Sequence, residues 1–215
     1  KAFEIRMLDD SGEYLTLDNS DFGKFHMRGK TLVWSECDKF PELRLEVTVG
    51  CTGDEFRFKS AVKGIPNGIM VDYVCAPRIC APLKSELFYP WSEGVIVTED
   101  VKKSRKDSHL NFPDSIRFGY YPGIVQMQFI ASYSQKGGVY FAADDIGRAT
   151  KVIDFANAGK DKISLRIEAM CGSYQNGAEC VIPFDVVLRP FDGNWYDACQ
   201  IYRNWVKKTM SGESV

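Results

Sequence analysis

The chain has 215 residues, 45% of them hydrophobic and 13% aromatic, with a formal net charge of −2. That is enough apolar material for a sizeable core in one all-β domain. No basic run interleaved with exposed aromatics offers a footprint for nucleic acid, and no apolar run approaches the roughly 20 residues of a membrane-spanning helix.

Taken in order, Phe3-Glu4-Ile5-Arg6-Met7 and Tyr14-Leu15-Thr16-Leu17 both alternate, with the turn cluster Asp9-Asp10-Ser11-Gly12 between them. This predicts an opening hairpin. Leu43, Leu45, Val47 and Val49 alternate with Arg44, Glu46 and Thr48. Gly50-Cys51-Thr52-Gly53 is read as the turn, and Phe56 and Phe58 lie on the returning strand. Apolar-in, polar-out alternation of this kind belongs to antiparallel sheet with one wet face. Ile69 to Cys75 reads as a further strand, Ala76 to Trp91 as a long bent connection, and Gly94 to Thr98 as a short strand. Glu99 to His109 is charged and aperiodic and is expected to be an exposed loop.

The stretch from Tyr121 to Asp145 organises the chain. Val125, Met127, Phe129, Ala131 and Tyr133 point one way, and Gln126, Gln128 and Ser132 the other, which predicts a half-buried strand. Gln135 to Gly138 is the turn, and Val139 to Ala143 begins the partner strand, ending in the carboxylates Asp144-Asp145. Ile163, Leu165, Ile167 and Ala169 alternate again, and Cys180 to Leu188 is β-rich. Asp192-Gly193-Asn194 then precedes Trp195, Ala198, Cys199, Tyr202 and Trp205, spaced along one helix face, with Asn194 or Asp192 as cap. Ser211-Gly212-Glu213-Ser214 resembles a linker. The sum is an all-β chain: a large antiparallel two-sheet β-sandwich over residues 1–192 and a C-terminal helix over 193–210.

The chemistry is sparse. There are two histidines, His26 and His109, and seven cysteines, without zinc-ligand spacing. No GxSxG elbow and no phosphate-binding glycine loop is present. No catalytic residue, metal or cofactor is therefore assigned. The cysteines read as small buried hydrophobes, with a Cys171–Cys180 disulfide across a loop as the sharper alternative. Residue 1 is Lys, and no signal peptide opens there, which leaves export open.

Four segments carry a likeness. They are Tyr89-Pro90-Trp91-Ser92-Glu93-Gly94; Tyr121-Pro122-Gly123 with Met127-Gln128-Phe129; Gly137-Gly138-Val139-Tyr140 leading to Asp144-Asp145; and Gly193-Asn194-Trp195-Tyr196-Asp197-Ala198 with Ile201-Tyr202-Arg203-Asn204-Trp205. Over roughly residues 40–206 the chain resembles the N-terminal domain of a bacterial glycoside hydrolase group, a galactose mutarotase-like supersandwich. In that group a (β/α)8 barrel follows, related to endo-α-N-acetylgalactosaminidases and more distantly to α-galactosidases. The family usually places His before the aspartate that ends the central hairpin; here Ala143 or Asp144 stands there.

The resemblance implies a non-catalytic accessory domain that packs on its own polypeptide's catalytic barrel, in a periplasmic or secreted enzyme. It makes carbohydrate the expected ligand. Sugar contact favours an aromatic ring on the pyranose face with carboxylates bonding the hydroxyls. Trp91, Tyr120, Tyr121, Asp144 and Asp145 have that chemistry and are the candidate ligand-binding residues. The alternatives are a free-standing carbohydrate-binding module and a mutarotase-like aldose epimerase using His26.

Overall fold

The computed structural model describes residues 1–104, 119–174 and 179–210. His109 and the linker-like Ser211–Ser214 lie outside the described residues.

The chain opens with β1 (Glu4–Asp9) and β2 (Tyr14–Asp18), paired as expected with Ile5 opposite Leu17. A 3-10 turn over Asn19–Asp21 leads into β3 (Phe22–Arg28) and β4 (Thr31–Cys37). Then come β5 (Arg44–Thr52) and β6 (Glu55–Lys63). Their hairpin is tighter than the sequence suggests: the ladder runs to Thr52 opposite Glu55, leaving only Gly53 and Asp54 in the turn. Next is β7 (Ile69–Cys75).

The supposed bent connection carries β8 (Ile79–Pro82) and β9 (Glu86–Tyr89), and β10 (Val95–Val97) follows. Its prolines end each strand without preventing it. The charged stretch after β10 begins as helix α1 (Glu99–Ser104), not as loop. Lys102 is buried and donates to the Ser85 carbonyl, while Glu99 and Lys103 pair one turn apart.

After β11 (Tyr120–Tyr121) comes the central hairpin of β12 (Phe129–Ser134) and β13 (Gly137–Asp144). The chain continues through β14 (Lys151–Asn157), β15 (Lys162–Tyr174), β16 (Cys180–Val181) and β17 (Asp185–Phe191), and closes with α2 (Trp195–Met210).

Among the described residues these strands form two antiparallel sheets. Sheet A runs β11-β14-β15-β7-β1-β2, with β8 continuing along β15 past the end of β7. Sheet B runs β10-β9-β12-β13-β17-β6-β5-β4-β3, with β16 also on β6. The main core lies between them: Ile5, Met7, Leu17, Leu45, Val62, Ile130, Phe141, Ile153, Leu165 and Ile167 are sealed there. Each such side chain contributes about 1.5–3 kcal/mol of burial.

Each sheet also has an outer face that is dry where an antiparallel sandwich would ordinarily meet water. The outer face of sheet B over β9, β12, β13 and β17 is covered by α2. Phe88, Phe129, Ala131, Tyr133, Tyr140, Ala142 and Val187 form a second core with Ala198 of the helix. The central strand is buried on both sides, which corrects the half-buried reading: Phe129, Ala131 and Tyr133 lie under α2, and Gln128 and Ser132, at 0% and 3% exposure, turn inward with Ile130 between the sheets. On the outer side, the aromatic stripe of α2 folds back on the apolar face of the sheet. The Tyr202 ring sits 5.4 Å from Phe129, and Trp195 stacks on Phe88 at 6.2 Å. Asn194 caps the helix: its side chain accepts from the Tyr196 amide at 2.8 Å, and its own amide donates to Asp197 at 2.9 Å. Gly193 (φ +104) sits so close to Asp197 that a Cβ there would lie 2.1 Å from the carboxylate, so only glycine fits before this cap.

The second dry face is on sheet A. Glu4, Arg6, Tyr73, Arg166 and Glu168 alternate with core residues and are all at most 3% exposed. The Glu4 carboxylate accepts from Arg166 and Arg78 at 2.7 Å and from the Tyr73 hydroxyl at 2.5 Å. Satisfied charge networks of this kind tolerate burial, and removing one partner strands the rest.

Candidate functional site

The site is built from the exit of the central hairpin. Asp144 and Asp145 are adjacent on an extended chain, so their side chains leave on opposite faces. The structure separates them as that geometry requires.

Asp144 projects from the outer face of sheet B. Opposite it on β17 is Asp185; one pair along is Ala142 with Val187, which in turn faces Arg57 on β6; next is Tyr140 with Arg189. The period of two therefore gathers Glu55, Arg57, Tyr140, Asp144, Val187 and Arg189 on one surface. With Ile201, Asn204, Trp205 and Lys208 of α2 above them, they line a cavity of 330 Å3. Arg57 lies 2.5 Å from Asp144, 2.7 Å from Glu55 and 3.4 Å from Asp185. Burial holds the Asp144 carboxyl above its ordinary range, even with Arg57 beside it pulling the other way. Burial lowers Arg57, but Asp144 and Glu55 outweigh it and keep the guanidinium charged.

Asp145 turns inward between the sheets. Its carboxylate accepts from Lys151 Nζ at 2.8 Å and from the Ala149 amide at 2.6 Å. Lys151 also donates to Gln128 Oε1 at 2.8 Å and to the Ala149 carbonyl at 2.6 Å. Its ammonium lies 4.6 Å from the Tyr121 ring centroid and 4.8 Å from that of Phe184. Three oxygen acceptors and two aromatic faces take the place of water around a lysine of 0% exposure. Burial lowers the Lys151 pKa, opposed by Asp145.

The five predicted ligand residues therefore divide. Tyr121 and Asp145 meet around Lys151 in the interior, both buried. Asp144 lines the cavity beneath α2. Trp91 is 40% exposed and lines a separate apolar groove of 370 Å3 with Tyr89, Val95, Val97, Val101 and Phe155. Tyr120 is half-buried on the edge strand β11, opposite Val152, and lines neither. Sequence reasoning missed Arg57, Tyr140, Arg189 and Lys151. The one available signal was a lone lysine opening the apolar run Val152-Ile153. Arg57 and Arg189 read from the sequence only as polar positions facing water.

His26 stands exposed on β3, the last strand of sheet B, opposite Val33. Among the described residues no three His, Cys, Asp or Glu side chains converge as a metal would require. No helix of the described residues is long and apolar enough to cross a membrane.

No family profile and no curated protein matches the chain. Among solved structures it is similar to the α-N-acetylgalactosaminidase NagBb from Bifidobacterium bifidum. In complex with Gal-NHAc-DNJ that enzyme matches at a TM-score of 0.60 and 11% identity, over 95% of this chain and 33% of that one. The ligand-free form matches at a TM-score of 0.57 and 12% identity, with the same coverage. The chain thus has the fold of a β-sandwich found within a glycoside hydrolase, and it spans about a third of that enzyme's length.

Proposed function

We propose that this chain is the non-catalytic β-sandwich of a carbohydrate-active enzyme. Residues 1–192 form the sandwich, and 193–210 the helix that leads to a (β/α)8 barrel carrying the catalytic acids. The observation that supports this most is the match of 95% of the chain to one third of an α-N-acetylgalactosaminidase. Charge placement supports it too. Glycoside hydrolysis needs two carboxylates flanking one bond, about 5–5.5 Å apart for retention or ~6.5–9.5 Å for inversion. Asp144 and Asp145 face opposite sides of a sheet and are each held by a cation.

The test is hydrolysis of aryl α-N-acetylgalactosaminide and α-galactoside, comparing this chain with the polypeptide that carries the barrel. The expected result is turnover only by the longer polypeptide. Turnover by this chain alone overturns the reading.

One observation favours a second reading, a free-standing carbohydrate-binding module: the exposed Trp91 ring beside an open apolar groove. Saturable binding of an α-linked glycan to this chain, abolished by Trp91→Ala, would select it. The epimerase reading is weakened by the exposed, edge-strand position of His26, away from the buried carboxylates.

A further inference from the structure

The cavity under α2 is more than a packing gap. Its floor is Tyr140 and Val187, at 2% and 1% exposure, and its mouth is formed by the exposed Arg189, Asn204 and Lys208. At 330 Å3 it falls within the range of small-molecule sites. The buried Tyr140 hydroxyl has no hydrogen-bond partner among the described residues. Buried hydroxyls are nearly always satisfied, and an exception at the floor of a cavity marks where a ligand's polar atom belongs.

The lining also defines the ligand's chemistry. The Arg57 guanidinium is already met by Glu55, Asp144 and Asp185, so the floor carries no spare positive charge for an anion. The cations Arg189 and Lys208 are confined to the exposed mouth; the rest of the lining offers the Asp144 carboxylate of that ion cluster, a phenol and a primary amide around one side of an indole. A carboxylate accepts from hydroxyls, and an amide both donates and accepts. An indole offers an apolar face to C–H groups.

We propose that this cavity binds a single neutral pyranose ring, with Trp205 against the ring, Asp144 and Tyr140 on hydroxyls at the floor, and Asn204 on a hydroxyl at the mouth. The choice of a sugar among polar ligands rests on the carbohydrate reading above. The site itself is distinct from the Trp91 groove.

The test is calorimetric titration of this chain with galactose, N-acetylgalactosamine and glucose, and with glucuronate as a charged control, in the wild type and in two variants. Tyr140→Phe removes one oxygen that has no hydrogen-bond partner among the described residues. It is expected to raise the melting temperature while weakening sugar binding about three- to tenfold. Asn204→Ala, at an exposed helix position, is expected to fold normally and weaken binding similarly. A merely structural tyrosine would move stability without moving affinity. Three results overturn the proposal: no saturable binding of a neutral sugar in the millimolar range, affinity unchanged in both variants, or preference for glucuronate. Each would leave the accessory-domain reading standing, because that reading is tested by hydrolysis in the longer polypeptide.

Discussion

The ammonium of Lys151 lies 2.8 Å from the carboxylate of Asp145, and both are sealed from solvent between the two sheets. A pair of this kind is balanced, so its value shows only when it is broken. Lys151→Met leaves a buried carboxylate without its cation and is expected to cost about 3–5 kcal/mol. Adding Asp145→Leu to it is expected to restore much of the loss, because no charge then remains to be desolvated. Urea denaturation of the single and double variants checks both outcomes; equal losses in the two would refute the pairing.

Helix α2 is held by one small residue as much as by its aromatic rings. Ala198 is completely buried against sheet B. Ala198→Glu places a charge in that contact and is expected to release the helix while the sandwich stays folded. Tryptophan emission should shift to the red, since Trp195 and Trp205 both ride on α2, and far-ultraviolet dichroism should lose helix but keep strand.

Acid stability is expected to carry the signature of Asp18. Burial pushes this carboxyl upward, but the Ser20 hydroxyl and amide and the Lys1 ammonium outweigh it and hold it at about 2, against an ordinary 3.8. A group depressed in the folded state stabilises at pH above its unfolded value and loses that contribution as pH falls through the folded one. The window is therefore pH 3.8 down to about 2. The contribution is on the order of 1–2 kcal/mol, discounted because the partner Lys1 is half exposed. Asp18→Asn should keep the cap and flatten this limb in denaturation curves taken between these pH values.

Cys171 and Cys180 are both free thiols in this structure, so the disulfide that the sequence suggested is absent from it. They are nonetheless in contact. The pair lines a common cavity, and a hydrogen bond to Cys180, together with burial, raises the Cys171 thiol far above its ordinary range. A disulfide oxidant such as oxidised glutathione is expected to join them with loss of two protons and two electrons, tying β15 to β16. By the loop-entropy relation the gain is about 2.5–3 kcal/mol. Peptide mapping after alkylation should find this cross-link intact while the exposed Cys51 and Cys80 are alkylated; its absence after oxidation would refute the contact.

Much of the sandwich was legible because β1, β2, β5, β6 and β15 follow a strict period of two. The reading faltered where that period gave the wrong environment. Gln128 and Ser132 are polar and should have met water, but they face between the sheets, where Gln128 meets Lys151, while the apolar stripe Phe129, Ala131 and Tyr133 faces outward under α2; no local signal tells a strand that a helix some 60 residues later will cover its other side. Glu4, Arg6 and Arg166 were hidden for a different reason: each looks like an ordinary wet position until its counter-charge arrives from another strand, and Glu168 is buried beside Arg166 on the same strand. The strands β8 and β9 were masked by prolines at their ends. Of the candidate site, the carboxylates and the helix stripe were visible. Arg57 and Tyr140, which turn that surface into a cavity, were not, because only the pairing of β6, β17 and β13 sets them side by side.

The bond from Arg166 to Glu4 joins residues 162 positions apart. During synthesis, β1, β2 and β7 leave the ribosome early and can associate at once. Their charged face then waits for β15, and at translation rates of ~5–20 residues per second the delay is roughly 5 to 20 seconds. For that interval the nascent chain holds half a sheet whose arginines and carboxylates are still hydrated, so closure is a late and long-range event. Topologies of this kind fold slowly, and the yield of correctly folded protein should respond more to elongation speed and temperature than to any single helix propensity.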